Sequence, residues 1–398
     1  MARVRALRVR GVRAAAAVAA AAAMIFACGL PGAASADALS RAPSADRDCR
    51  PIRIEHGGRY QGCFISRDAD TAAVVVATDE PVTLAGAEIR HAGDGVVSEV
   101  AGTQIRIFDS RLVALDPQSP RPVSQRAVTL DQPASFVAQH DLFLAGQGIH
   151  LNGYTKDPIA PLLIRFNRSV DVGRFGHPDH PNCCVQFVQF DNVVAPAEIA
   201  WNHTTNRAGR SSIEDNINMY ESSGLDDGHP IDIHDNLIDG AYPPSGKGRD
   251  YTGGGIMLAD SGGAYETARR NRVVSTTNYG IAIVGGHDNH IRHNWMISDG
   301  RADDGEAIGP DYGVGIAVWD ASDTGDLADV DARNNRVGWE RGTDLTRNDW
   351  WLPACDPADA CTGNRSVHGD VTARTEARQR HAWARAVAAA GHTIGPRA

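Results

Sequence analysis

Short stretches of this chain alternate apolar and polar residues with a period of two, and the stretches recur. One recurring pattern is apolar, two residues, Asn, one residue, then an apolar residue in most copies. It reads "IRFNRS" at 164–169, "IAWNHT" at 199–204, "IHDNLI" at 233–238, "ARRNRV" at 268–273, "IRHNWM" at 291–296 and "ARNNRV" at 332–337. Its asparagines are Asn167, Asn202, Asn236, Asn271, Asn294 and Asn335, spaced 35, 34, 35, 23 and 41 residues apart. Weaker copies stand upstream at "IFDSRL" (107–112) and "VAQHDL" (137–142). A second pattern, Gly-Ile-any-aliphatic, alternates with the first at Gly148, Gly255, Gly280 and Gly315, and "DNINMY" at 215–220 fills the same slot.

Period-2 alternation predicts short strands with one face turned to a core. A repeat of this length predicts a solenoid, in which each coil buries its apolar face only by stacking on its neighbours. Asn is expected at the sharp turns because it tolerates the left-handed backbone, and its side chains on successive coils can bond backbone groups along the axis. The predicted fold is all-β, a right-handed parallel β-helix with a C-terminal helix and disulfide-bearing loops. The run from about Ile105 to Trp339 resembles the parallel β-helix repeats of the pectate-lyase-like superfamily. That group includes polysaccharide lyases, polygalacturonase-type hydrolases, epimerases and phage tailspikes. The resemblance implies the fold and a polysaccharide or oligosaccharide partner. It carries over no residue role, because the Asn-Thr-Asp and Arg-Ile-Lys signatures of polygalacturonases are absent.

The ends of the chain change the picture of its compartment. Arg3, Arg5, Arg8, Arg10 and Arg13 precede an alanine-rich apolar run and the small residues Ala34-Ser35-Ala36. This pattern predicts a signal peptide cleaved after Ala36 and a secreted protein. Residues 37–47 read as a flexible linker, 48–345 as the β-helix, and 346–398 as a C-terminal loop and helix. The helix is expected over 371–390, with Gly391 just past its end. Cleavage removes five Arg and no acid, leaving 34 basic against 49 acidic residues, a net charge of −15. That balance excludes nucleic acid and anionic membranes as partners. Six cysteines remain after cleavage. Cys49–Cys63 and Cys355–Cys361 are the economical pairs, which leaves Cys183 and Cys184 as a vicinal pair.

The candidate chemistry concentrates between residues 150 and 260. Alternation from Ile213, Ile217 and Met219 turns Glu214, Asn216, Asn218 and Tyr220 outward, with Asp215 inward at the strand's entry. His150, Asn152 and Gln186 join them in one outward column, and Met257, Ala282 and Ala317 occupy it in later coils. Asp232 and His234 are outward on the next strand, and Asp260 closes "GGGIMLAD". Glycoside hydrolysis needs an acid and a base or nucleophile, and Glu214 with Asp232 or Asp260 is the expected pair. A lyase needs a base and a group that neutralises a uronate. His150, His234 or Tyr220 is the expected base, and Arg165, Arg210 or Arg249 the counter-charge. The predicted catalytic set is therefore Glu214, Asp215, Asp232, His234, Asp260 and His150. Asn152, Gln186, Asn216, Asn218, Tyr220, Arg165 and Trp319 are expected on the substrate. No cofactor or metal is expected at the site. Calcium is the one ion that the acidic loops could hold, although their spacing matches no calcium loop. The alternative is a glycan-binding or cell-surface β-helix without catalysis.

Overall fold

The computed structural model describes residues 49–116, 124–154, 162–173, 185–242, 253–309, 313–321, 323, 325–342, 344–355 and 360–397. The segments read as a signal peptide and a linker up to residue 47, the Cys183–Cys184 pair and Arg249 lie outside them.

Most coils contribute three strands, and the first two contribute two each. One coil consists of Asp215–Ser223, Ile231–His234 and Leu237–Ala241, and the next of Gly254–Ala264, Glu266–Arg269 and Arg272–Thr276. The first strands of successive coils form an eleven-stranded sheet, and the second and third strands a nineteen-stranded one. The ladders between coils are parallel, as in Ile217↔Ile256 and Ile233↔Ala268. The chain is a parallel β-helix. Pairing continues past residue 345, where Trp350–Trp351 joins Ile316 and Ala317, and Arg365–Ser366 joins Arg336 and Val337.

The interior is a set of aligned columns. Val128, Ile149, Val188, Ile217, Ile256, Ile281 and Ile316 stand in register, and none is more than 1% exposed. Each such side chain contributes about 1.5–3 kcal/mol on burial. β-branched residues suit the position because they pack on a pleated surface with little rotamer entropy to lose.

The asparagines do a different job from the one their turn propensity predicts. The left-handed residue is the one before each of them: Phe166 (φ 61°), Trp201 (56°), Asp235 (54°), Arg270 (54°), His293 (61°) and Asn334 (59°). The Asn side chain instead points inward and builds a ladder along the axis. Asn236 Nδ2 donates to Asn271 Oδ1 (2.9 Å) and to Ile199 O (2.8 Å). Asn236 Oδ1 accepts from the amide and side chain of Asn202 (2.9 and 3.0 Å). The ladder extends beyond the predicted rungs to Asn364 at one end. At the other it reaches Asp141, whose Oδ1 accepts from the Ser110 amide (2.7 Å). These bonds satisfy backbone groups that a corner would otherwise leave orphaned in the core.

The Gly-Ile pattern also has a steric cause. The residue before each core Ile sits where the chain bends into the strand. A Cβ on Gly280 would lie 2.5 Å from Gly315 O and 2.6 Å from Met296 Cγ, and one on Gly315 would strike Val337. Asn216 occupies this inward slot in its own coil, where the expectation placed it outward. It is 0% exposed and uses its full bonding capacity inside. Its Oδ1 accepts from Thr204 and Asn206 (both 2.9 Å), and its Nδ2 donates to Gly240 O (3.2 Å) and Gly254 O (3.1 Å).

The helix spans Ala373–Ala390 and ends at Gly391 with φ 71°. It lies along the flank of the coils. Trp383 and Val387 pack on Leu237 and Val274, and Trp383 Nε1 donates to Asp235 O (2.7 Å). The tail then runs back over the earlier turns. Gly395 donates to Phe166 O (2.7 Å), and Arg397 pairs with Asp109 (2.7 Å). Cys49–Cys63 and Cys355–Cys361 are bridged, with Cα–Cα distances of 5.3 and 5.8 Å.

Candidate functional site

Register places the outward face of the eleven-stranded sheet. Thr129, His150, Gln189, Asn218, Met257, Ala282, Ala317 and Trp351 stand side by side on successive strands. A second outward column holds Asp131, Asn152, Asp191, Tyr220 and Asp260. The polar character ends at Asp260, and the face beyond it is apolar.

Two carboxylates meet at the boundary. Asn218 Nδ2 donates to Asp215 Oδ2 (3.1 Å) and to Asp260 Oδ2 (2.9 Å). The shared donor therefore bounds the two oxygens to about 6 Å from one another. Tyr279 OH bonds the other oxygen of Asp215, and Gln186 Nε2 donates to Glu214 Oε2 (3.0 Å) beside it. Asp215 thus belongs to the outward cluster, whereas alternation placed it inward. The parity count from Ile217 fails because Asn216 and Ile217 both face in at the bend.

Burial dominates the electrostatics. Asp215 is 2% exposed, and desolvation followed by the charge of Glu214 pushes its pKa up to about 8, against the hydrogen bonds of Tyr279 and Asn218. Asp260 is also raised, chiefly by burial, with Glu221 adding to the shift. The Tyr279 phenol is driven well above its ordinary value by burial and by Asp215. With its pKa at about 8, Asp215 holds its proton at neutral pH. Asp260 is half-buried and is the member that can touch a ligand. Asp215 lies beneath as its partner.

The other predicted residues divide by location. His150 lies on the same face, and both its ring nitrogens are engaged. Nδ1 accepts from Arg126 (3.2 Å), and Nε2 faces Asp191 (3.5 Å). Burial and then Arg126 hold its pKa down. Asn152 donates to Asp131 (2.9 Å). Trp319 stands tilted against Trp351, with ring centroids 5.4 Å apart. The two line a cleft of about 710 Å³ with Tyr279, Asn278, Arg341 and Asn348. Tyr279 thus joins the carboxylates to an aromatic cleft.

Asp232, His234 and Arg165 lie on the other sheet, so Glu214 and Asp232 are not brought together as a pair. Asp232 is held by Arg269 (2.8 Å) and Glu198 by Arg165 (2.9 Å). His234 Nδ1 bonds Asp235 (2.8 Å). Burial draws the His234 pKa down, but its bonds to Asp235 and Glu198 outweigh this and leave it raised. This lattice is an ion-pair seam between coils. Arg210 is exposed on a turn. A cleft of about 560 Å³ over this sheet includes His290, Arg292 and Asp331, and Arg292 is committed to Asp331. Among the described residues, no group of three or more His, Cys, Asp or Glu is arranged to hold a metal ion.

Tyr279, Gln189 and Asp191 escaped the sequence reading. Tyr279 looks like a core aromatic in "NYGIAI". Its signal was position: it stands two residues before a core Ile, as Asp215 does before Ile217.

No family model matches the chain, and no curated protein matches it. Among solved structures, a mannuronic acid specific polysaccharide family 6 lyase from human gut microbiota is similar at a TM-score of 0.39 and 11% identity. The match covers 88% of this chain and 91% of that one. A likeness at that level bears on neither substrate nor reaction.

Proposed function

We propose that the protein is an exported carbohydrate-active enzyme that cleaves a polysaccharide laid along the outward face of the eleven-stranded sheet. The observation that carries this reading is the pair of carboxylates joined by Asn218, one half-buried on the face and one buried behind it. Asp260 is the general acid and base at the glycosidic oxygen or the attacking water, and Asp215 keeps a proton close at hand. Hydrolysis is favoured over elimination, because the face offers a carboxyl pair while His150 has both ring nitrogens engaged; Tyr220, in the same outward column as Asp260, is the base left for an elimination. Trp319 and Trp351 offer ring faces on which a sugar can stack. The two disulfides fit an oxidising compartment, and no helix among the described residues is long and apolar enough to cross a membrane.

The test is a panel of neutral and acidic polysaccharides incubated with the protein from residue 37 onward, with and without calcium. New reducing ends and the ultraviolet absorbance of unsaturated uronates are read together. Hydrolysis predicts reducing ends without unsaturation, and a loss of at least about 100-fold in Asp260→Asn, the scale of a removed general acid. Unsaturated product would assign a lyase instead. Full activity in Asp260→Asn would remove Asp260 from the mechanism. The exposed Trp351, 50% accessible, favours one second reading, glycan binding without turnover. That reading predicts retention on a polysaccharide with no product.

A further inference from the structure

Asp260 faces outward only because the strand carrying it is irregular. Met257 is outward and Leu258 is in the core, so a regular strand would turn Ala259 out and Asp260 in. The register shows one extra residue: Asn218 pairs with Met257, but Tyr220 pairs with Asp260. The backbone around Asp260 is left-handed on both sides, at Ala259 (φ 52°) and Ser261 (φ 61°), and continues through Gly262 (φ 105°) and Gly263 (φ 146°). A bulge of this kind re-aims a side chain. An alanine at positive φ is strained and persists only where the surroundings hold it.

Glu266 supplies that hold. It is 0% exposed, and its Oε2 accepts from the Ala259 amide at 2.7 Å. Its own amide is anchored on Asn289 Oδ1 (3.0 Å). Glu266 Oε1 has no hydrogen-bond partner among the described residues. A buried carboxyl with a single donor is otherwise a cost to the fold. We infer that Glu266 is a positioning residue whose carboxyl pins the bulge at Ala259 and so turns Asp260 from the core onto the outward face beside Asn218. Burial raises the Glu266 pKa well above the ordinary carboxylate range. Glutamine offers the same acceptor without a charge.

The catalytic meaning of the inference rests on the function proposed above, but its test needs no substrate. The carboxyl carbon of Asp260 is followed by NMR through a pH titration in wild type, Glu266→Gln and Glu266→Met, and assigned by its loss in Asp260→Asn. The other titratable groups that face or act on Asp260 are Asp215, Glu221, Tyr279 and Glu266, and three of them are unchanged across the series. Wild type and Glu266→Gln are expected to titrate together, above the ordinary aspartate range. Glu266→Met keeps the volume but removes the acceptor; with the bulge released Asp260 turns toward the core and away from Asn218, and its titration should move further above that range with the circular dichroism unchanged. An Asp260 titration that does not move in Glu266→Met overturns the inference. A second measurement covers the case in which Glu266→Met does not fold. The Ala259 amide must resist hydrogen exchange in wild type and Glu266→Gln, and fast exchange there overturns the inference without the Met variant. If these results hold while Asp260→Asn still cleaves polysaccharide, the proposed reaction fails and the role of Glu266 stands.

Discussion

Replacing Asp141 by Asn should stabilise the protein, and by more as the pH rises. Asp141 is the rung before Asn167 in the axial ladder and is 0% exposed. Its Oδ1 accepts from the Ser110 amide, and its Oδ2 has no partner among the described residues. At the next rung the equivalent atom is a nitrogen, and Asn167 Nδ2 donates to Ala138 O (3.0 Å). Burial raises the Asp141 pKa well above its ordinary value, only partly offset by the Ser110 amide. The folded protein therefore keeps a proton that the unfolded chain gives up near pH 3.9. With the folded value above the unfolded one, the unfolded state binds fewer protons as pH rises, and stability falls. The slope is about 1.4 kcal/mol per pH unit until the folded-state value is passed. Asparagine removes this titration and keeps the acceptor. Guanidinium unfolding of both proteins at pH 5, 6 and 7, with disulfides intact, should show a stability difference that grows with pH, by no more than that slope. The other buried acids are common to both proteins and cancel in the comparison. A difference that stays flat with pH, or a variant less stable throughout, would refute the protonated rung.

Asn236→Ala should cost about 3–5 kcal/mol in the same unfolding assay, because it orphans the buried Asn202 amide and removes three further ladder bonds; a loss under 1 kcal/mol would mean that water replaces the rung. Glu376 on the helix has its pKa pushed up to about 8 by burial and then by Asp299, against the attraction of Arg380, which donates to Glu376 at 3.2 Å and to Asp239 through two bonds of 2.8 Å. Its folded value exceeds its unfolded one, so its contribution is complete below about pH 4.3 and is lost as pH rises toward 8. Glu376→Gln should therefore flatten the decline in melting temperature between pH 6 and 8, and an unchanged decline would place the titration elsewhere.

The coil, its inward columns and its Asn stack were legible because each rests on a strict period or a fixed spacing. Errors arose where the backbone leaves the period. Asn216 was placed outward by counting back from Ile217, yet the chain bends between them and both face in. The Gly-Ile pattern already marked the bend, since Gly255 and Gly280 hold the same place as Asn216. The left-handed turn was assigned to Asn by propensity. The structure gives it to Phe166, Trp201 and Arg270, because the Asn that follows must send its side chain inward. Asp232 and His234 were read as outward, but the turn at 224–230 carries them to another sheet, where Asp232 is half-buried and His234 buried in an ion-pair seam. Alternation along one strand does not report which sheet the next strand joins. Asp260 depends on a single inserted residue and a buried Glu266, and no local pattern shows a contact between them.

The polar cluster is not something the scaffold needs. The same first-strand positions are filled by Gly254 and Val314 where one coil has Asp215, and by Met257, Ala282 and Ala317 where it has Asn218. Those coils pair as well as their neighbours with no charged or amide side chain at these positions. The coil stack already has its orphaned groups satisfied by the ladder, so Asp215 and Asp260 add desolvation cost without serving the corner. Asp260 requires in addition a left-handed alanine and a buried carboxyl to hold it. Strain and uncompensated burial gathered on one face, at the edge of an aromatic cleft, work against stability. Their concentration where a ligand can reach them is the physical argument that this face has a chemical task.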